Sequence, residues 1–437
     1  MTRQRARAAA AGPPSMVRTA LALLPLQAVF RGGEALWPLL LAAWFGRSAG
    51  TDLYYLLAAY FVFVGAVITG MFQDSGAVAV LIEVESSAPA SFRAVAGSLL
   101  GHTLAAGSAL ALGMGSVAAA VGWFACPARA LAVELVALMS IGMTAVSVRA
   151  FYVGVLNARG VFSAHPLASG IGMALTWALL LLSRRALGVR SIPFSLLMGE
   201  MLAIALLASF TRRRLGLRLV PSLVRSEPIR RIFALTRLEV AGSLITRINP
   251  LIDQLMAGIA GVVGGGTLVQ YAGEVASLPT SVLQATLFPV LLRRLALEAG
   301  HTRQFRATTR RTMLTVVVSL ALFSTALVGF RTPLCRILFL RGEMDLAGVA
   351  RITDILPWAL AGAAPFGALL VLARAHVARQ NSRIMPSMGA LNATLNVVFN
   401  ALFVGPLGLS GIALSTSLTY FVVAVVFWVR LPREAGV

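Results

Sequence analysis

The 437-residue chain contains no lysine, so all 37 of its basic residues are arginines. Cys126 and Cys335 are its only cysteines, too few and too far apart for a disulfide framework or a thiolate metal cluster. Charged residues make up 12% against 58% hydrophobic, where a soluble domain carries about a quarter charged. A soluble fold of this length has no way to cover its surface with so few polar groups, which leaves a membrane-embedded chain. Nucleotide-hydrolysis and hydrolase motifs are missing as well. There is no GxxxxGK[ST], no HExxH and no GxSxG. His102, His165, His301 and His376 are scattered over different segments, as satisfied or solvated histidines are, and no metal cluster or catalytic residue is expected. Transport fits this inventory better than catalysis. The excess of arginine over 16 acidic residues gives a net charge of +21. The arginines cluster between apolar stretches, so the excess reads as membrane topology and not as a nucleic-acid surface.

What the chain does have is a series of apolar windows of about 20 residues. They lie near 20–45, 52–73, 93–121, 130–156, 164–183 and 192–211, then near 232–261, 267–292, 312–330, 352–373, 384–404 and 409–430. The pattern predicts an all-α polytopic membrane protein of about twelve transmembrane helices. "AAWFGRSAGTDLYYL" and "AGIAGVVGGGTLVQYA" each join the first two spans of a half, and "RAFYVGVLNARGVFSAHP" and "RAHVARQNSRIMP" each join the fourth and fifth. Such repetition predicts two pseudo-symmetric six-helix bundles around a central cavity. The expected segments are a basic cytoplasmic stub at 1–17 ("MTRQRARAAAAGPPSM" is no cleavable signal), bundles at 18–211 and 232–437, and a basic cytoplasmic linker at 212–231. With both termini inside, about 26 arginines, Arg149 among them, fall on the cytoplasmic side and about nine outside. Arg31 and Arg247 fall within spans.

Charges inside apolar spans are expensive and therefore informative. Arg31 and Glu34 interrupt the first span at spacing i,i+3 beside Gly32, Gly33 and Pro38. Arg247 and Asp253 flank Pro250 in "LITRINPLIDQLM", where the proline is expected to break the helix, and Glu274 follows in "YAGEVASLP". The planar guanidinium forks of Arg31 and Arg247 suit a diphosphate; the alternative is internal ion pairing that fixes helix packing. Asp74, Glu83 and Glu85 read as a solvated cytoplasmic edge, and "GSLLG" at 97–101 as a small-residue helix-packing face.

Several segments resemble the MviN/MurJ family. These are "FGRSAGTDLYYL", "VQYAGEVASLPTSVLQATLFPVLLRR", "PLCRILFLRGEMD", "LLVLARAHVARQNSRIMP" and "GPLGLSGIALSTSL". The resemblance runs from about residue 15 to the end and implies the multidrug/oligosaccharidyl-lipid/polysaccharide flippase superfamily. It implies flipping of undecaprenyl-diphosphate-linked sugars, typically the peptidoglycan precursor lipid II, across the bacterial cytoplasmic membrane. The family's first-span arginine matches Arg31. Its second-span arginine has no counterpart, its eighth-span arginine falls on Glu274, and its two further C-terminal helices have no matching segment. The substrate-site candidates are therefore Arg31, Glu34, Asp52, Arg247, Glu274 and Arg374. A sodium site is implied at Asp253, Asn396, Asn400 and Thr416, with Asn400 standing where an acid is expected. Sodium, protons or the membrane potential are the candidate coupling agents. Anionic lipids and cell-envelope synthesis enzymes are the candidate partners. An O-antigen or exopolysaccharide flippase, a cation-coupled drug exporter and a transport-inactive scaffold stand as alternatives.

Overall fold

The computed structural model describes Gly33 and residues 36–431. Excepted are 74–75, 126, 380–383 and, between 287 and 301, all but Leu291, Leu295 and Glu298; for 70, 71, 73, 76, 125, 236–247 and 282–286 only the backbone is described. The regular secondary structure of the described residues is helical. In the first half these are α1 (Leu36–Phe45), α2 (Ala49–Gln73), α3 (Gly76–Ser87), α4 (Phe92–Ala125), α5 (Arg129–Ala158), α6 (Ala164–Leu187) and α7 (Ser191–Leu215). The second half holds α8 (Glu227–Ile259), α9 (Gly265–Thr286), α10 (Thr302–Gly329), α11 (Arg331–Phe339), α12 (Leu346–Ala361), α13 (Ala363–Ala378), α14 (Ile384–Leu407) and α15 (Leu409–Val429).

Among the described residues, eight stretches are long and apolar enough to cross a membrane. One of them, Ala164–Leu215, contains both α6 and α7; another, Leu346–Ala378, contains α12 and α13. Helices α8 and α9, which cover most of the windows at 232–261 and 267–292, are not among the eight. Pro250 does not break α8, which runs through it for 33 residues. The linker is shorter than its basic composition suggests: α7 carries Arg212, Arg213 and Arg214 in its last turn and α8 already starts at Glu227, so only 216–226 is non-helical.

Helices α4–α7 pack on one another, as do α12–α15, while α8 packs against α2 and α3 of one half and α9, α14 and α15 of the other. The two halves share one buried apolar cluster near the α1–α2 and α8–α9 turns, built from residues such as Leu41, Tyr55, Leu268, Tyr271, Phe339 and Ile412. Burying aromatic and aliphatic side chains from both halves together holds the bundles closed at this end. At the opposite end each half has its own cluster, around Phe92 and Phe151 in the first and around Leu372 and Phe427 in the second.

Candidate functional site

A polar cluster sits where α8, α14 and α15 meet. Asn396 and Asn400, four residues apart on α14, share one helix face, and both are fully buried. Each donates an Nδ2–H to Asp253 Oδ1 at 3.2 Å. Thr416 Oγ1 donates to Asp253 Oδ2 at 3.1 Å and accepts from Asn396 Nδ2 at 3.2 Å. Asn400 Nδ2 also reaches Asn396 Oδ1 at 3.1 Å. The structure thus brings together all four residues of the implied cation site, from positions up to 163 residues apart. Asn400 Oδ1 is buried with no hydrogen-bond partner, an orphaned acceptor beside a carboxylate. The donor set of one carboxylate, two amides and one hydroxyl fits a monovalent cation once the amides turn their oxygens inward. No three His, Cys, Asp or Glu side chains converge among the described residues.

A second polar arrangement closes the junction between the halves. Ser48 starts α2 with a reciprocal cap, its N–H donating to Thr51 Oγ1 and its Oγ accepting from Thr51 N–H. The next residue, Asp52, points across the junction at the first turn of α9. Its Oδ2 accepts from Gly264 N–H at 2.7 Å, and its Oδ1 accepts from Thr267 N–H at 2.8 Å and Thr267 Oγ1–H at 2.9 Å. An acid of one half thereby caps a helix N-terminus of the other, where unpaired N–H groups and the helix dipole favour negative charge. Gly264 is required there: its φ is +79°, and a Cβ would strike Arg47. The same face carries a bidentate Arg47–Asp345 ion pair and a Glu343 N–H to Ala43 O hydrogen bond at 2.9 Å.

The expected substrate residues do not form one constellation among the described residues. Arg31 and Glu34 lie outside them, as does the side chain of Arg247. Glu274 lies on α9, partly buried, and accepts from Gln270 Nε2 at 2.8 Å. Asp52 has both carboxylate oxygens committed to the junction. Arg374 is exposed near the far end of α13.

Other sequence expectations are corrected. Glu83 and Glu85 are not merely solvated: they pair with Arg231 at 2.7 Å and Arg159 at 2.6 Å, while Asp74 lies outside the described residues. Arg149, expected on the cytoplasmic side, lies within α5 and pairs with Glu200 of α7 at 2.6 Å. That pair was missed, although the signal used for Arg31, a charge within an apolar window, is present at both positions. "GSLLG" seats no helix. The extended linker lies against it, with Ser222 N–H donating to Gly97 O at 3.1 Å, and a Cβ on Gly101 would collide with Ser222 O.

The all-helical fold, with apolar stretches long enough to cross a membrane, defines a polytopic membrane protein. The chain belongs to the lipid II flippase MurJ family, whose model matches residues 42–437. Among solved structures it is similar to a lipid II flippase MurJ in an inward closed conformation, with 16% identity, TM-score 0.77, and coverage of 94% of this chain and 87% of the other. It is also similar to an inward-facing multidrug resistance MATE family transporter, with 13% identity, TM-score 0.76, and coverage of 92% and 93%. A third likeness is to a superfamily transporter from Pyrococcus furiosus described as having a binding pocket of reverse polarity, at 13% identity, TM-score 0.65, and coverage of 93% and 91%. No curated protein sequence matches the chain.

Proposed function

We propose that the chain is an alternating-access flippase. It moves lipid II or a related undecaprenyl-diphosphate-linked sugar from the inner to the outer leaflet of the bacterial cytoplasmic membrane, with both termini and the linker in the cytoplasm. Membership in the MurJ family carries this reading. The closed junction supports the transport cycle: Asp52, Arg47 and their partners fasten the ends of the two halves that the arginine distribution assigns to the outside. We therefore assign Asp52 to the outer gate, which opens when α2 and α9 separate. Arg31 and Arg247 are the proposed diphosphate clamps, with Glu34 and Glu274 as the acids that orient and release them, and Arg374 meets headgroups at the inner face.

Asp253, Asn396, Asn400 and Thr416 would hold sodium, the proposed coupling ion. When bound, the ion supplies a positive charge that draws oxygens of α8, α14 and α15 together. Asp253 is the one formal charge in the cluster, and Asn400 keeps the site singly charged.

The test is reconstitution into proteoliposomes with labelled lipid II and a measurement of its leaflet exposure over time. Transport is expected, together with its loss in Arg247→Ala at unchanged folding. A folded protein that leaves lipid II in its original leaflet and expels a cationic dye would overturn the reading in favour of a drug exporter.

A further inference from the structure

At the linker end of the first half, away from both arrangements above, a cavity of about 310 Å³ opens between α5, α7 and the segment that follows α7. Its polar lining is Tyr152 of α5, Thr211 and Arg212 of α7, and Arg218 of the linker. The local fold builds it. Gly216 ends α7 at φ +67°, and the N–H groups of Gly216 and Leu217 turn back onto Thr211 O. That reversal lays Leu217 and Leu219 against the cluster around Phe151 and brings Arg218 to the same cavity as Arg212. Arg93 fixes the position, its Nε donating to Arg218 O at 2.9 Å, so the backbone at Arg218 is held while its side chain stays exposed.

The two cavity arginines form no ion pair among the described residues, and the acids around them are taken. Glu83 is paired with Arg231, Glu85 with Arg159, Glu200 with Arg149 and Glu227 with Arg230. Asp52 and Glu134, the remaining described acids between residues 36 and 231, are engaged by Thr267 and Arg190. No described acid of this half neutralises Arg212 and Arg218, and both side chains are exposed and open to an external anion. The linker itself indicates its source. Val220, Leu223 and Val224 follow the cavity and are 62–66% exposed, unusual for apolar side chains in a basic loop. Exposed apolar residues interleaved with Arg218 and Arg225 suit the boundary between headgroups and acyl chains.

We propose that this cavity binds the phosphate of an anionic membrane lipid between the guanidiniums of Arg212 and Arg218, with Val220, Leu223 and Val224 entering the adjacent leaflet. Tyr152 offers a hydroxyl to the same phosphate. Only the choice of leaflet rests on the orientation proposed above; binding itself requires neither transport nor its substrate.

The test is thermal unfolding of the full chain in detergent, titrated with phosphatidylglycerol, with phosphatidylcholine, and with inorganic phosphate at constant ionic strength. Phosphatidylglycerol is expected to raise the melting temperature and phosphatidylcholine is not. Arg212→Gln with Arg218→Gln should demand about 25-fold more phosphatidylglycerol for the same rise, about fivefold per arginine. The charge-matched control, Arg213→Gln with Arg214→Gln at the same helix end but outside the cavity lining, should respond like the parent. If the double cavity variant fails to fold, Arg218→Gln alone carries the fivefold comparison. The proposal is overturned by a parent protein indifferent to phosphatidylglycerol or by equal losses in cavity and control variants, which would mean diffuse charge. It is also overturned if inorganic phosphate alone gives the full rise, which would make the cavity a site for the free ion. Because no flipping is measured, failure here leaves the transport reading untouched, and the reverse holds as well.

Discussion

Arg47 and Asp345, 298 positions apart in sequence, meet in a two-point ion pair, Nε to Oδ1 and Nη2 to Oδ2, each 2.9 Å. Asp345 is also the N-cap of α12, accepting from Gly348 N–H at 2.9 Å. The Arg47 guanidinium first, and the Gly348 N–H second, hold the Asp345 carboxyl down at about 2, and the same pairing pushes Arg47 above its ordinary value.

Because the folded-state value of Asp345 lies below the unfolded one, its stabilisation is complete above about pH 4 and is lost as pH falls through about 2. This pair should therefore leave the melting temperature flat between pH 8 and pH 5. The two side chains are 25% and 50% exposed, so screening keeps the pair's worth below about 1 kcal/mol. Asp345→Asn, which keeps a cap, should lose no more than that; Asp345→Ala should lose about 1 kcal/mol further. Thermal unfolding of the two variants separates them, and equal losses would show that the cap contributes nothing.

The Asp253 cluster predicts sodium-dependent stability. At a sodium concentration 100 times the dissociation constant the gain is about 2.7 kcal/mol. Asp253→Asn should abolish the gain and Asn400→Asp should enlarge it, read as melting temperature in sodium against choline. A parent protein with the same melting temperature in both salts would remove the sodium assignment.

Gly101→Ala should loosen the linker, since its Cβ collides with the backbone at Ser222, whereas Gly113→Ala meets nothing within 4 Å and gains the helix propensity of alanine. The expected result is faster protease cleavage between residues 216 and 226 in the first variant and parental cleavage in the second. Identical cleavage in both would mean that the linker does not need the close approach.

Arg149 and Glu200 should show strong non-additivity. Arg149→Gln alone leaves the partly buried Glu200 unpaired between helices and should cost about 1–3 kcal/mol, and Glu200→Gln should do the same to Arg149. The double glutamine variant should recover most of the loss. A double variant that is stable yet unable to transport would reassign the pair from packing to substrate handling.

The all-helical class and the family were legible in composition and in a few motifs because both depend on properties of continuous stretches: hydropathy, arginine placement and segments such as "LLVLARAHVARQNSRIMP". The meeting of Asp253 with Asn396, Asn400 and Thr416 was reachable only through resemblance. No local pattern reports that α14 presents Asn396 and Asn400, rather than the opposite face, to α8. Pairings such as Arg149–Glu200 and Asp52–Thr267 join residues 51 and 215 positions apart. Their partners are set by which helix ends abut, which hydropathy does not encode. The extended course of 216–226 was hidden for another reason. Its arginines look like those of any cytoplasmic loop, and glycines packed against a neighbouring backbone have the same spacing as those that seat a helix.

One helix belongs to both halves at once. Ile229 and Ile232 at the start of α8 are fully buried in the first half's cluster, and Arg231 is tied to Glu83. Near its other end Asp253 is tied to α14 and α15. The linker before it is fastened along α4 through Val224, so no slack chain connects the two bundles. Rotation of one bundle against the other must then be absorbed as flexure of α8 itself, over the roughly 20 residues between its two anchor points, a distance of about 30 Å at 1.5 Å per residue. Pro250 stands at the second anchor, where a missing N–H makes a helix easiest to bend. On this geometry α8 works as a torsion rod: stiffening it should slow the exchange between conformations without altering the affinity of either.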